Sequence, residues 1–500
     1  DNAPLEVRVA LSGVSTAGAL QNLREETSGF SFDTLRKKAE EKWERALSVI
    51  QIEGDEDIMT SFYTSLYHTM INPSLYMDVD GTYRGIDGNI HQVKDFTNYT
   101  VFSLWDTFRA LHPLFNIIER KRSREMLFSL LNHYQQSVHK VLPVWSHMGN
   151  ENWCMIGYHG VSLLSDGIAK GISLDSRLAL EAMESSSNLL YYDGIASYKK
   201  LGYVPLDENQ SAASITLEYA YDDWNIYQLA EKMGEVSIAE IYKKRALNYR
   251  NLFHPKLEYV CPRKSDGSWM DSFDLYKTHG QGFIEGNSQN YSFFVPHDVN
   301  GLIKCMGGDK KFIEKLDNLF TQKLSSSAYE HTEDVTAEGI IGGYVHGNEP
   351  SHHIPYLYMW TSQPWKTAER IHEIRCKMYK NAINGLCGND DCGQMSAWYV
   401  FSSMGFYPVC PGTDQYVLGT PAVKEVVIHL ENGNDFSIKA DHLSSKNLYV
   451  KEVLLNGILY HKAYLTHQDI MKGGELRFIM SNKPNKQEYE VSGKPYSLSN

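Results

Sequence analysis

Two short polar runs stand about forty residues apart, His346-Gly347-Asn348-Glu349-Pro350-Ser351-His352-His353 and Gly388-Asn389-Asp390-Asp391-Cys392-Gly393-Gln394. A third, Glu285-Gly286-Asn287-Ser288-Gln289-Asn290-Tyr291, is closed by Pro296-His297-Asp298. Each sets carboxylates and amides, and the first and third also histidines, against aromatic sequence. Such groups are costly to hold beside apolar walls, so the runs point to a lined pocket rather than plain surface. Two carboxyls flanking an acetal carbon can cleave it, one protonating the leaving oxygen and the other acting as nucleophile or as base for a water. Glu285 and Asp391 are the candidates. Each has a plain rival reading. Glu285 suits a helix entry before Tyr291-Ser292-Phe293-Phe294, and Asp391 suits the N-terminus of a helix over Gln394 to Met404.

Asn348 and Glu349 offer an amide oxygen and a carboxylate side by side, hard ligands that suit Ca²⁺ better than Zn²⁺, unless they only satisfy buried backbone. His352 and His353 are adjacent, so on a helix they diverge by about 100° and do not share one zinc. Neither an HExxH pair nor an EF-hand loop is present. Trp105-Asp106, Glu151 near Trp145 and Trp153, and Asp222-Asp223-Trp224 repeat a theme of carboxylate beside indole, the pairing that holds sugars by C–H faces and hydroxyls. Lys366, in Gln363-Pro364-Trp365-Lys366, is a further donor, although Pro-Trp also opens helices.

The elements that must position these groups are mostly helical. Ser31 caps an amphipathic stretch in which Phe32, Leu35, Ala39, Trp43, Ala46, Leu47 and Ile50 keep helical spacing, a linker helix over 31–56. From about 57 to 407 some twelve helical patterns follow. The clearest are Ile58 to Met70, Met126 to Val138, Leu178 to Leu189, Ile215 to Leu229 and Ile238 to Phe253, with others near 100–118, 156–171, 292–306, 309–319, 350–361, 364–380 and 393–404. Twelve helices joined by polar loops fit a double ring of six inner and six outer helices with the site at one mouth. Beyond 408, Val423 to Leu430, Phe436 to Ala440, Val450 to Leu455 and Leu476 to Ile479 alternate at period two, and Asn456-Gly457 marks a type I′ hairpin. An N-terminal strand over Leu5 to Leu11 is expected to join this small antiparallel β-domain. The fold class is mainly α, an (α/α)₆ barrel with that β-domain.

Composition narrows the functions. A formal charge of −13 without a clustered Lys/Arg face excludes nucleic acid as a partner. The 32 Tyr and 9 Trp suit sugar stacking, and suit a tyrosine-rich core as well. Seven scattered cysteines form no disulfide framework and no CxxC ribbon. No apolar run reaches the length of a membrane span. Asn98, Asn209 and Asn290 match the glycosylation pattern, a frequent chance match.

At Ser103 to Pro113, Thr216 to Trp224, Glu285 to Asp298, His346 to Lys366 and Gly388 to Pro411 the chain closely resembles glycoside hydrolase family 92, the calcium-dependent, inverting, exo-acting α-mannosidases. The resemblance implies a bound Ca²⁺ held at Asn348 and Glu349, Glu285 as general acid, and Asp391 as base assisted by Asp390 or Asn389. It implies a sugar-binding shell of Trp105, Asp106, Glu151, Asp223, His346, His352 and Lys366, with a mannose-containing oligosaccharide as partner and the chain a monomer. For inversion the two carboxyl groups should stand roughly 6.5 to 9.5 Å apart. Export to a bacterial periplasm or cell surface is the implied location.

Departures from the family pattern matter as much. Gln289-Asn290 replaces a Trp-Gln pair before Tyr291, and His346-Gly347-Asn348 replaces the His-Glu-Asn of α-1,2-selective members, so linkage preference stays open. Residues 1–30 read as the remnant of an N-terminal β-sandwich that lends residues to the pocket in family members, from which we expect lowered or no activity in this chain. The competing readings are an inverting (α/α)₆ glycosidase of other α-glycosides that needs no calcium, and a mannan-binding fragment without turnover.

Overall fold

The computed structural model describes residues 5–324 and 339–500. Helical segments alternate along the chain between two rings. Leu111–Ile118 and Gln394–Met404 are buried at every residue, and Gly160–Ala169 and Ala212–Met233 at nearly every one, as expected of helices enclosed on all sides. Val299–Cys305 and the 3₁₀ segment Ile354–Trp360 complete the inner ring among the described residues. Glu56–Thr69, Arg120–Gln136, Ser176–Ser186, Val236–Arg245, Asp309–Thr321 and Lys366–Met378 bury one face each and form the outer ring. The twelve segments expected from periodicity are the twelve that form this (α/α)₆ barrel.

Their interiors depart from simple helices where backbone chemistry intervenes. Proline lacks the N–H that a helix interior needs. Pro296 accordingly separates Ser288–Tyr291 from Val299–Cys305, and Ile354–Trp360, with Pro355 near its start, winds as 3₁₀ rather than α. The pattern over 238–253 divides into Val236–Arg245 and a 3₁₀ turn, Asn248–Leu252.

The β-region corrects two expectations. Residues 5–11 form no strand; Leu5, Val7, Val9 and Leu11 are exposed, and the first regular element is the helix Thr16–Thr27, capped by the Ser15 side chain. The strand that joins the C-terminal sheet from the N-terminal side is Ile50–Glu53, which pairs antiparallel with Glu425–His429, Ile50 opposite Ile428. Ile50 satisfies both the helical and the alternating period, so periodicity alone extended the linker helix, which ends at Leu47, through this strand. The six-stranded sheet is also not wholly antiparallel, because Asp435–Asp441 and Gly474–Ser481 run parallel, Ile438 opposite Leu476. The Asn456-Gly457 turn forms as expected, with φ of 53° and 77° and Leu455 opposite Ile458. A second, three-stranded sheet of Phe406–Tyr407, Gln415–Leu418 and Tyr464–Thr466 follows the last inner helix directly. The cysteines form no disulfide with one another among the described residues. No helix among the described residues is long and apolar enough to cross a membrane.

Candidate active site

The three polar runs meet, and they meet through backbone. Gly388 lies so close to Gly347 that a Cβ at 388 would stand 2.8 Å from the Gly347 carbonyl oxygen and 2.9 Å from its Cα. Only glycine allows that approach. Asn348 joins the third run: its side-chain amide donates to the Glu285 carbonyl at 2.5 Å, and its oxygen accepts from the Glu349 N–H at 3.1 Å. Asp106, on the short helix Leu104–Thr107, arrives from the other side with its carboxylate fixed by the Ser103 hydroxyl.

One carboxylate oxygen each from Asp106, Glu349 and Asp391 lie within 4.8 Å of one another, the first two residues buried and Asp391 partly so. Burial raises the Asp106 and Glu349 carboxyls well above the usual carboxylate range. The neighbouring negative charges raise them further, Asp391 acting on Asp106, and Asp106 then Asp391 acting on Glu349. Both Glu349 carboxylate oxygens are buried without a hydrogen-bond partner. A set of hard oxygens with an orphaned carboxylate is the donor chemistry of a Ca²⁺ site, so the residues fit that ion. Asn348, expected as a ligand beside Glu349, spends both ends of its amide on the loop, while Asp106 and Asp391, expected as sugar contact and base, stand with Glu349.

The two candidate acid–base residues share an uncommon backbone. Glu285 and Asp391 have φ of 45° and 44°, and Cys392 has 58°. Left-handed conformations of non-glycine residues cost on the order of 1–3 kcal/mol and persist where surrounding contacts over-determine them. Part of that support is visible at Asp390: its carboxylate accepts from the Ser396 N–H at 2.8 Å and lies 3.6 Å from His68 Nδ1. Burial is the chief cause raising the Asp390 carboxyl. Asn389 and Glu285 present exposed side chains at the mouth.

The remaining expected sugar contacts are engaged by the protein. The Trp105 indole N–H donates to buried Glu218 at 3.2 Å. Asp223 is fully buried, paired with Arg245 at 2.8 Å and accepting from the Tyr158 and Tyr198 hydroxyls at 2.8 and 2.9 Å. His346 bridges the Tyr344 and Tyr379 hydroxyls, and His352 bonds the His346 carbonyl through Nε2 and the Gln394 amide through Nδ1. Glu151 accepts backbone N–H groups from Val144, Trp145 and Trp153 at 2.8–3.0 Å. Lys366 pairs with Asp317 on the outer ring.

Behind the carboxylates lies a layer that the sequence reading missed. Arg109, 5.0 Å over the Trp105 ring and 4.6 Å over Phe108, lowers both raised carboxyls and pairs with Glu218 at 3.5 Å, while His159 bridges Glu218 and Asp222. Glu218 stands four residues before Asp222, which the sequence already marked beside Asp223 and Trp224, a spacing that puts both on one face and could have flagged Glu218. Gln394, named in the sequence only as the end of its polar run, has a role not read there: its oxygen accepts the Ala110 and Leu111 N–H groups at 2.9 and 3.2 Å. A surface recess lined by Tyr76, Tyr83, Asn98, Asn132 and Gln136 among others includes none of the three carboxylates.

Comparison with known proteins gives a consistent picture. The chain matches the model of the glycosyl hydrolase family 92 catalytic domain over residues 18–482. It is similar to the family GH92 α-mannosidase BT3965 from Bacteroides thetaiotaomicron, 43% identical with a TM-score of 0.92, covering 97% of this chain and 64% of that one; the same enzyme has also been solved in complex with mannoimidazole. It is similar to the inverting mannosidase BT2199 from the same organism, 37% identical with a TM-score of 0.90, covering 98% of this chain and 68% of that one. A protein described as an uncharacterized secreted glycosidase, from Arthroderma benhamiae, is 26% identical over 96% of this chain and 61% of its own length. The chain thus spans less than two thirds of the length of BT3965 and of the fungal relative.

Proposed function

The chain belongs to glycosyl hydrolase family 92, and on that premise we propose that it removes terminal α-linked mannose from mannose-containing oligosaccharides, exo-acting, inverting and dependent on Ca²⁺. The observation that carries the reading is the meeting of Asp106, Glu349 and Asp391 around Glu349 oxygens that have no hydrogen-bond partner. Of the three, Asp106 and Glu349 are the buried ones and would hold the ion, which leaves the partly buried Asp391 carboxylate beside them for the water. Calcium, when bound, supplies a Lewis acid for sugar hydroxyls.

Every other step falls to the chain itself. Glu285, exposed at the mouth and tied through its carbonyl to Asn348, protonates the leaving oxygen as general acid. Asp391, the least buried of the three carboxylates, takes the proton of the attacking water on the opposite face. Asp390 and Asn389 assist by fixing the strained turn that carries it. Trp105, Asp223, His346 and His352 orient the pocket walls from behind. That BT2199 is an inverting mannosidase and that BT3965 has been solved with a mannoimidazole agree with this assignment. The barrel over 57–407, the β-domain over 408–500, a monomeric state and export, suggested by the secreted fungal relative, belong to the same reading.

E285Q tests it. The expected outcome is a fall in kcat on α-mannobiosides of roughly 10²- to 10⁴-fold, the range for loss of a general acid, with mannoimidazole still bound. Unchanged turnover would reject the assignment of the acid. Binding without measurable turnover in the unsubstituted chain would favour a mannan-binding role instead.

A further inference from the structure

The turn that carries Asp391 is held from the outer ring as well as from the inner one. Three consecutive residues in it, Asp391, Cys392 and Gly393, have left-handed backbone, with φ of 44°, 58° and 94°. For the two that are not glycine, such a conformation persists only where surrounding contacts over-determine it. Within the turn, the Asp390 carbonyl accepts from the Met395 N–H at 3.2 Å and the Asp391 carbonyl from the Gln394 N–H at 3.3 Å. Both bonds tie the turn to the helix that follows it. Neither reaches another element of the barrel.

The outer helix Glu56–Thr69 supplies that second hold, and it does so at both ends. In its first turn the Asp57 carboxylate accepts from the Asn381 side-chain amide at 2.8 Å, which anchors the segment that leads from Tyr379 into the run 388–394. In its last turn the Thr69 Cα and the His68 carbonyl oxygen back onto Gly393, 2.9 and 3.2 Å from where a Cβ would stand. Asp57 and His68 are roughly 16 Å apart along that helix, which therefore acts as a splint for the whole segment. The half-buried His68 ring completes the hold. Its Nδ1 lies 3.3 Å from the hydroxyl oxygen of fully buried Ser396 and 3.6 Å from Asp390 Oδ2, while Asp390 Oδ1 accepts from the Ser396 N–H at 2.8 Å. One carboxylate thus meets the start of an inner helix through one oxygen and the end of an outer helix through the other. A histidine near a helix C-terminus also complements the helix dipole, but that use needs no particular partner.

We propose that His68 is a positioning residue for the base: through Asp390 and Ser396 it fixes the turn, and so the direction in which the neighbouring Asp391 carboxylate meets the attacking water. This rests on the proposed function, in which Asp391 takes the proton of that water. His68 touches neither substrate nor ion; it acts through the residue before the base. A left-handed turn that loses one of its holds relaxes, and a base that drifts out of hydrogen-bond reach of its water no longer takes the proton. The loss falls on water activation. Protonation of the leaving oxygen is spared, because Glu285 stands on a different segment.

The test uses the whole chain with Ca²⁺ and two substrates, an α-mannobioside and an aryl α-mannoside whose phenolate leaves without being protonated. H68F removes the polar contacts of the ring at similar volume, and H68Q restores a hydrogen-bond donor. We expect H68F to lower kcat on both substrates by the same factor, about 10- to 100-fold as for a misplaced catalytic group. KM and the Ca²⁺-induced rise in Tm should be kept, and H68Q should recover most of the lost kcat. The proposal is overturned if H68F turns over both substrates like the parent, if it slows the mannobioside alone, which would place the defect at the acid, or if H68Q is no better than H68F. Loss of the calcium shift or of folding in H68F would overturn it too, by marking a general structural role. A parent chain that turns over neither substrate rejects the proposed function itself, and this inference falls with it.

Discussion

Glu349 concentrates the energetic question of this site at one residue. Its two carboxylate oxygens are buried without partners, and two further carboxylates stand close by. An unpaired buried charge is expensive, so the metal-free protein holds this group as the neutral acid, while a divalent cation removes the cost by pairing the ionised form. E349Q should therefore leave the metal-free Tm unchanged or higher. The same change should abolish the stabilisation that Ca²⁺ confers on the parent, which by linkage is about 2.7 kcal/mol at a hundredfold excess over Kd. Thermal melts of both proteins with and without Ca²⁺ check this, and an undiminished calcium shift in E349Q would show that the ion binds elsewhere. The charge and type of this residue were legible in the sequence. Its lack of partners was not, because that depends on which loops surround it.

At the scale of elements, the inner helix Gln394–Met404 is the part that assembles the site. Its first residue accepts the Ala110 and Leu111 N–H groups, which open the helix Leu111–Ile118, and donates to His352 Nδ1. Just ahead of it, Gly393 has a φ of 94°, and a Cβ there would meet the Thr69 Cα at 2.9 Å, so the base-bearing turn is pressed against the end of the outer helix Glu56–Thr69. Gln394 thus links three segments distant in sequence. Q394L should cost roughly 1–3 kcal/mol for each backbone amide it orphans, measured as a lower denaturation midpoint at unchanged slope. Q394M, an unbranched side chain of similar length that accepts neither amide, should lose about as much as Q394L. If either variant is as stable as the parent, the amide acceptance is not what matters.

For the whole molecule, buried histidines make one part of the response to acid. Burial holds His112 down to about 3, His297 and His353 to about 4 and His467 to about 2. These folded values lie below the unfolded value of about 6.5, so as pH falls the unfolded chain takes up protons first. Their stabilising contribution is complete above about pH 6.5 and is lost below it, at about 1.4 kcal/mol per pH unit for each histidine. The raised carboxyls, Asp106, Glu218, Asp223 and Glu349 among them, pull the opposite way and favour the fold at low pH, so the share of one histidine is read against a chain that lacks it. Urea denaturation of the parent and of H112F at pH 7, 6 and 5 should show the parent losing more stability than the variant across the last interval, and parallel profiles would contradict this account.

Much of this protein is determined by its sequence alone. The 3.6-residue period named each of the twelve barrel segments, and period-two alternation with Asn456-Gly457 named the C-terminal strands, because such patterns need only local neighbours to be read. Resemblance in the three polar runs pointed to the family. Tertiary structure decided what local patterns cannot encode. It gave Ile50 to a strand, because Glu425–His429 was there to pair with it, and left residues 5–11 without one. It moved Asp106 beside Glu349, turned Glu151 into a clamp on backbone amides, and sealed Asp223 into an ion pair with Arg245. The physical reason is the same in each case: a side chain's type fixes which partners it can satisfy, and only the folded packing fixes which of them come within reach.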